Sequence, residues 1–200
     1  MTVFVIAVGS GYAAYSLPIL EQFCSFNGVK LHVVKENPYD LHPSWLKCLC
    51  HKMVEDDFIV CWDLDLLPVK NYLLSEYFDV SKINMAKDYI FEVQSEPVFN
   101  DNFKYNGGLV GIPKSYSEFF EDIFYNHDRS KSYPSYEQYY LNDKLVGTNT
   151  QVHELPIELN FAAKWAGKNQ SCERALNLHY TYGHNEIEKY DAIKIHRYEK

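Results

Sequence analysis

The feature that most constrains the fold is a five-residue apolar run that ends in two aspartates. The run at 58–62 has no polar residue, which is typical of a β-strand covered on both faces. Along an extended backbone, residues two apart point to the same side, so Asp63 and Asp65 are expected to present their carboxylates together. Pro68 has no backbone N–H and is expected to stop further strand pairing.

Two neighbouring carboxylates repel each other unless a cation or hydrogen-bond donors lie between them. Oxygen ligands alone favour a hard divalent ion, Mg²⁺ or Mn²⁺. In open α/β sheets, ligands bind beyond the carboxyl ends of the strands, which is where this pair falls. The sequence therefore predicts a divalent-metal site after the run, and the alternative is a solvated, Asp-rich turn that binds nothing.

The order of the elements around this run predicts an α/β fold. Strands are predicted at 2–8 and 30–34, with apolar residues at helical spacing between them from Tyr15 to Phe26, and Ser44 is expected to cap a helix that runs to about Val54. This strand–helix alternation is typical of a wound α/β domain. The 200 residues suffice for one well-buried domain, and no repeat or linker divides them.

The second half of the chain predicts a less regular series of elements. These are a short helix at 71–78, a strand at 83–86, a loop at 92–104, a glycine-rich strand at 105–113, helices opened by Ser115 and Ser135, and strands near 151–155, 176–181 and 192–196.

The charge balance argues against two classes of partner. With 27 acidic and 19 basic residues the formal net charge is −8, which is unfavourable for nucleic acid and for anionic membranes. An anionic ligand would need a metal or a few local cations. The apolar run at 3–8 is too short for a signal peptide and no later run could span a membrane, so the cytoplasm is the expected location (the host cytoplasm for a viral chain).

Two segments near the predicted site could bind a ligand. Gly9-Ser10-Gly11-Tyr12 would let backbone N–H groups approach one, but it lacks the third glycine of a dinucleotide motif and the Gly-Lys-Ser/Thr of a P-loop, so a plain turn is the alternative. Lys47, His51 and Lys52 precede the metal strand, and they either face a diphosphate or are solvated.

The cysteines are predicted to lie in the core rather than to form a framework of disulfide bonds. Five are present, an odd number, as expected of small buried residues in a reducing compartment. Zinc binding by Cys48, Cys50 and His51 is disfavoured, because residues two apart on a helix do not face one another.

These landmarks, in this order, resemble those of GT-A-fold glycosyltransferases of the glycogenin and bacterial galactosyltransferase type, which use UDP-sugars. They are also similar to small glycosyltransferase domains of large algal (chlorella) viruses. The likeness runs from Val3 to about His184, and its most specific part is Trp45-Leu46-Lys47 followed by the segment 60–65. It implies an α/β fold: a single GT-A domain over 1–200 with a mixed, mostly parallel sheet flanked by helices. The nucleotide-binding part would be about 1–90 and the acceptor-side part about 91–200.

The resemblance also implies roles for individual residues. Tyr105-Asn106-Gly107-Gly108 resembles a segment that contacts donor and acceptor, and Leu155-Pro156 with Asn160 resembles an element that precedes the acceptor side. Catalytic roles are expected for Asp88, Asn106, Glu137 and Gln138. Nucleotide binding is expected from Val8, Gly9, Ser10, Tyr12, Lys47, Asp63, Leu64 and Asp65.

His179 resembles the third metal ligand of the family, which lies in a His-x-x-Gly-x-x-Lys signature, so the expected ligands are Asp63, Asp65 and His179. The chain departs from that signature. Gly183 is one residue late and no lysine follows at the expected place, which leaves Lys47, Lys189 and Lys194 as candidates for the phosphate contact.

The predicted activity is transfer of a sugar from a UDP-sugar to a hydroxyl of a glycan or glycoprotein acceptor. Mn²⁺ or Mg²⁺ would neutralise the leaving diphosphate. The likeness favours retention with Gln138 near the anomeric carbon, whereas Glu137 would be the base of an inverting reaction. A sugar-nucleotide pyrophosphorylase is disfavoured because 9–12 contains no Lys or Arg, and a non-catalytic sugar- or nucleotide-binding module is the remaining alternative.

Overall fold

The computed structural model describes residues 1–11, 13–90, 98–99, 104–128, 137–163 and 174–180. The strands of these residues, β1 to β11 in chain order, are Thr2–Ile6, Lys30–Val34, Phe58–Trp62, Leu66–Pro68, Ile83–Lys87, Tyr89–Ile90, Val98–Phe99, Tyr105–Pro113, Val152–Leu155, Phe161–Ala162 and Asn177–His179. The α-helices, α1 to α4, are Ala13–Asn27, Cys50–Met53, Ser117–Asn126 and Glu137–Gly147. Short 3-10 helices are found at Pro43–Leu49, Leu74–Glu76, Lys114–Tyr116 and Ile157–Asn160.

A six-stranded sheet in the order β2-β1-β3-β8-β5-β9 forms the centre of the fold. β1 pairs in parallel with β2 and β3, β5 pairs in parallel with β9, and β8 runs antiparallel to both of its neighbours. Val5 lies opposite Trp62, so the turns that follow β1 and β3 share one edge of the sheet. The predicted fold class, a mixed and mostly parallel sheet flanked by helices, is confirmed.

The alternation of side chains explains why β3 is apolar throughout. Val60 and Trp62 pack on one face of the sheet with Leu20 and Phe23 of α1. Ile59 and Cys61 point to the other face, where they join a second cluster that includes Phe4, Trp45, Phe120 and Phe124. Every residue of β3 is buried, as predicted for a strand covered on both sides.

A second, three-stranded sheet in the order β10-β11-β4 lies next to the end of β3. β4 pairs antiparallel with β11, so that Leu66 lies opposite His179 and Pro68 opposite Asn177. Pro68 itself pairs with Asn177, and β4 ends there, in agreement with the prediction that Pro68 stops further strand pairing. Pro68 is the last residue of β4, a strand terminus where the missing N–H is tolerated.

Two predicted helix starts are wrong. The helix expected from Ser44 is a 3-10 helix followed by the short α2, and its N-cap is His42, whose ring Nδ1 accepts a hydrogen bond from the Ser44 N–H. Pro43 then occupies the first helical position, where its fixed φ is favourable. Ser115 does not cap α3 but lies inside the preceding 3-10 helix, and the helix expected at 71–78 is a single 3-10 turn.

Some predictions lie outside the described residues. They concern Tyr12, Ser135, Cys172, Gly183, Lys189, Lys194, most of the loop at 92–104 and the strand at 192–196. Within the described part of the chain, no helix combines the length and the apolar character needed to cross a bilayer.

Candidate active site

Three predicted metal ligands converge at the junction of the two sheets. Asp63, Asp65 and His179 each offer a ligand atom, and these atoms lie within 4.8 Å of one another. The pairing of β4 with β11 brings His179 next to Asp65, which lies 114 residues earlier in the sequence. The Tyr180 N–H donates to the Asp65 carbonyl oxygen at 2.8 Å. The alternative of a fully solvated aspartate turn is wrong, because Asp65 and His179 are buried.

The route by which the two aspartates meet differs from the expected one. β3 ends at Trp62, and Asp63 and Asp65 lie in a turn in which the Leu66 N–H donates to the Asp63 carbonyl oxygen at 3.0 Å. The extended alternation from which their juxtaposition was predicted is therefore absent. A turn that reverses into β4 brings the carboxylates together instead.

The donor set fits a divalent ion of the Mg²⁺ or Mn²⁺ class. Two carboxylates and one imidazole combine hard oxygen ligands with a nitrogen ligand that Mn²⁺ accepts. His179 Nε2 is 3.2 Å from Asp65 Oδ1. Adjacent ligands of an octahedral ion with bonds of about 2.1 Å are about 3.0 Å apart, so this pair already has a suitable separation.

Lys47 is the buried cation of the site. Its ammonium lies 2.7 Å from Asp63 Oδ1 and 3.0 Å from Glu137 Oε1, and it donates to the Gly107 carbonyl oxygen at 2.7 Å. An ammonium has three N–H donors, so these acceptors match its full capacity. The alternative that Lys47 is a solvated charge is wrong, since it is only 6% exposed.

Charge and burial oppose one another in this group. Burial disfavours the charged form of Lys47, but Asp63 and then Glu137 outweigh it and raise the lysine pKa above its usual range. At Asp63, burial raises the carboxyl pKa, Lys47 opposes that rise and Asp65 adds to it. The carboxylates of Asp63 and Asp65 thus repel one another, and a bound cation would relieve that repulsion.

The second half of the site is a buried network of amides at the start of β8. Asn106 donates through Nδ2 to Asp88 Oδ1 at 3.1 Å, and Gln138 donates to the other oxygen of Asp88 at 3.4 Å. Gln138 Oε1 accepts from the Gly107 N–H at 2.7 Å. Asp88, Asn106, Glu137 and Gln138 are all buried, and Asn106 lies in β8 rather than in a solvated turn.

Close packing joins the two halves. The Gly108 N–H donates to Asn106 Oδ1 at 2.8 Å, and the Asp63 N–H donates to the Gly108 carbonyl oxygen at 2.9 Å. A Cβ added at Gly108 would lie 2.4 Å from Cε1 of His179. Glycine is therefore required here to leave room for the imidazole.

The turn after β1 lies at the same edge of the sheet as the aspartates. Gly9 has a φ of 67°, a conformation that glycine adopts without a side-chain penalty, and the Ser10 carbonyl oxygen accepts from the Ala13 N–H at 3.3 Å. The side chain of Leu64 is buried in the core. Contact between Leu64 and a nucleotide would consequently have to use its backbone.

Sequence reasoning missed two supporting residues. Asn142 donates to the carbonyl oxygens of Tyr105 and Gln138 and accepts from the Tyr105 N–H, which ties β8 to α4. Its position one helical turn after Gln138 was the available signal. Asn160 was associated with the acceptor side, but its Oδ1 lies 2.7 Å from His179 Nδ1.

No protein-family profile and no curated protein sequence matches the chain. Solved structures do match. A glycosyltransferase involved in the glycosylation of the major capsid of PBCV-1 superposes with a TM-score of 0.74 at 16% identity, over 97% of this chain and 98% of that one. GlyE of Streptococcus pneumoniae TIGR4 gives a TM-score of 0.60 at 15% identity, over 99% of this chain and 63% of its own.

A mutant of Drosophila β1,4-galactosyltransferase 7, in complex with manganese, UDP-Gal and xylobiose, gives a TM-score of 0.55 at 16% identity, over 94% of this chain and 72% of that one. At these identities the likeness shows a shared fold. The chain therefore has the fold of these glycosyltransferases, as the sequence resemblance predicted.

Proposed function

We propose that this chain is a metal-dependent glycosyltransferase that moves a sugar from a UDP-sugar to a hydroxyl of a glycan or glycoprotein. The observation that carries the proposal is the convergence of Asp63, Asp65 and His179 beside a buried polar network, at the sheet edge where this fold class binds ligands. The galactosyltransferase complex with manganese and UDP-Gal supports the choice of ion and donor. One domain, with the nucleotide side at about 1–90 and the acceptor side at about 91–200, is part of the proposal.

The role that we propose for each residue follows from its position in the site. Asp63, Asp65 and His179 would hold Mn²⁺ or Mg²⁺, which when bound neutralises charge on the leaving diphosphate. The turn Val8–Ser10 shares the sheet edge with these ligands and is assigned to the nucleotide, together with Tyr12 and the backbone of Leu64.

The buried network is assigned to the sugar. Asp88 and Asn106 present oxygen and amide groups that can orient sugar hydroxyls, and the hydrogen bond between them holds them in place before the donor arrives. Gln138 is held between Asp88 and Gly107, and we assign it to the region of the anomeric carbon. Lys47 holds Glu137 against Asp63, which connects the catalytic side to the metal side.

We further propose that the configuration at the anomeric carbon is retained, on the basis of the likeness to glycogenin-type enzymes. Glu137 is the group that would serve as base if the reaction inverts. The anomeric configuration of the transfer product, determined by NMR, distinguishes the two outcomes. If the anomeric configuration of the product is opposite to that of the donor, the central catalytic role would be assigned to Glu137 instead of Gln138.

Incubation with a panel of UDP-sugars and Mn²⁺, followed by measurement of free UDP, tests the function. Transfer or slow donor hydrolysis that is abolished by EDTA and by Asp65→Asn is the expected result. Pyrophosphate-dependent formation of UTP would instead indicate a sugar-nucleotide pyrophosphorylase. Binding of UDP-sugar without turnover would indicate a non-catalytic module.

A further inference from the structure

We propose that Asn160 is a positioning residue that fixes the tautomer of His179, so that the Nε2 lone pair is available to the metal. The inference rests on the proposed function, because it takes His179 as a metal ligand. A histidine ligand commonly uses its second ring nitrogen to donate to a fixed acceptor, which sets the ring orientation.

The contact between the two residues is short and shielded from water. His179 Nδ1 lies 2.7 Å from Asn160 Oδ1, and the two residues are 4% and 2% exposed. Asn160 closes a 3-10 helix and His179 ends β11. Their contact is therefore held by two ordered elements.

The direction of this hydrogen bond follows from groups elsewhere in the network. The Gly108 N–H can only donate, and it points to Asn106 Oδ1 at 2.8 Å. On its other side, Asn106 faces the carboxylate of Asp88, which as an ion can only accept, at 3.1 Å. Both neighbours therefore require the same orientation of the Asn106 amide.

The orientation of the Asn106 amide determines the orientation of the Asn160 amide and, through it, the tautomer of His179. Asn106 Oδ1 is an acceptor, so Asn160 must present its Nδ2 to it, and the separation is 2.9 Å. The Asn160 Oδ1 must then face His179, and His179 Nδ1 must carry the proton that it donates. The series Asp88–Asn106–Asn160–His179 leaves Nε2, 3.2 Å from Asp65 Oδ1, as the coordinating nitrogen.

The same series connects the sugar side of the site to the metal side. Asp88, which we assign to the sugar, is the carboxylate end of the series, and the metal ligand His179 is the other end. Loss of such an outer partner typically lowers metal affinity by about 10- to 100-fold, so we expect an effect of that size when the Asn160 oxygen is removed.

The tautomer can be read directly from the ¹⁵N NMR shifts of the histidine rings in the Mg²⁺-bound protein. The spectrum of His179→Gln identifies the His179 signals. The expected result is a protonated Nδ1 in the wild-type protein. A His179 ring protonated at Nε2, with its lone pair on Nδ1, overturns the proposal. This measurement needs no Asn160 variant and no catalytic activity.

Metal titration by calorimetry supplies the second test. Asn160→Leu removes the acceptor and is expected to lower Mg²⁺ or Mn²⁺ affinity about tenfold or more. Asn160→Asp keeps an oxygen opposite His179 Nδ1 but loses the N–H that Asn106 Oδ1 accepts, so its affinity is expected to lie between those of wild type and Asn160→Leu. Asn84→Leu is the matched control, because Asn84 is an equally buried amide whose side-chain partners are in the loop at 79–82.

Equal metal affinity of Asn160→Leu and wild type, or an equal loss in Asn84→Leu, overturns the proposal. If Asn160→Leu does not fold, the wild-type ring spectrum decides. Failure of the wild-type protein to bind either metal would overturn the proposed function. The tautomer, recorded then in the metal-free protein at alkaline pH, would still show whether Asn160 accepts from Nδ1.

Discussion

At the scale of single residues, the site depends on buried polar groups whose partners lie far apart in sequence. The two aspartates could be identified from residue type and spacing, whereas His179 and the glutamate–glutamine pair were identified only through the family resemblance. The bridge from Lys47 to Glu137 could not be predicted, because it joins residues 90 positions apart and only the fold brings them into contact. A lysine on a predicted helix gives no local sign that it will be buried.

Replacing Lys47 by methionine should therefore be costly. The variant would leave Glu137 buried without its cation beside the carboxylate of Asp63, and loss of one partner of a buried pair costs about 3–5 kcal/mol. Because Asp63 is partly exposed, we expect a loss of about 3 kcal/mol in the free energy of unfolding, measured by urea titration.

The control is Lys52→Met, which breaks the exposed pair with Glu121 and should leave the free energy of unfolding nearly unchanged. Lys47→Met/Glu137→Gln should recover part of the loss, because it removes the unpaired charge. Equal stabilities of Lys47→Met and Lys52→Met would contradict the role of Lys47 as the buried cation between Asp63 and Glu137.

A second residue-scale prediction concerns Gly108. Gly108→Ala would place a methyl group 2.4 Å from Cε1 of His179, so the imidazole must move from its position beside Asp65. We expect metal affinity, measured by calorimetry, to fall about tenfold or more, since a ligand displaced by about 1 Å no longer fits the ion. Gly147→Ala, where an added Cβ meets nothing within 4 Å, should bind the metal as wild type does.

At the scale of secondary-structure elements, the sequence pattern predicted burial correctly where each face of an element has a single environment. The burial of β3 on both faces and the helical face of α1 were predicted from periodicity, because burial repeats with the backbone geometry. The turn at 63–65, the strand at 66–68 and the N-cap His42 were not. Their conformations depend on pairing with β11 or on Pro43 rather than on a repeating pattern.

The inward face of α1 also predicts the behaviour of a thiol. Burial, assisted by the charge of Glu21, raises the pKa of Cys24 to about 12, so this thiol stays protonated between pH 7 and 9. Only the thiolate reacts with iodoacetamide. Native Cys24 should remain unlabelled when the pH rises from 7 to 9, whereas the urea-unfolded chain should label faster with pH. Peptide mass spectrometry measures both, and rapid native labelling at pH 8 would refute the assigned burial.

At the scale of the whole molecule, the site joins distant parts of one chain. The proposed ligands come from the turn after β3 and from β11, which are more than 110 residues apart in the sequence. The general architecture could be predicted from the order of the elements. The proximity of His179 to the two aspartates was predicted only from the resemblance of His179 to a family signature. Physical pattern alone does not relate residues 114 positions apart.

Metal binding should accordingly stabilise the whole fold. At a metal concentration about 100 times Kd, an ion that binds only the native state adds about 2.7 kcal/mol to the free energy of unfolding. Thermal unfolding with and without Mn²⁺ should show this increase in wild type and a much smaller one in His179→Ala. His153→Ala, whose imidazole contacts the Tyr77 carbonyl oxygen instead, should keep the full increase. An unchanged increase in His179→Ala would exclude His179 as a ligand.

The pairing of β4 with β11 sets the distance between two of the proposed ligands. Asp65 and His179 are adjacent to a strand ladder, and the backbone bond from Tyr180 to Asp65 continues that ladder to the edge of the site. Strand spacing varies little, so the separation of the backbone positions that carry these two side chains is fixed by the ladder. Ca²⁺ forms longer bonds and needs more ligands than Mg²⁺. The small sheet would thus limit the size of the ion that these two side chains can share, which would favour Mg²⁺ or Mn²⁺ over Ca²⁺.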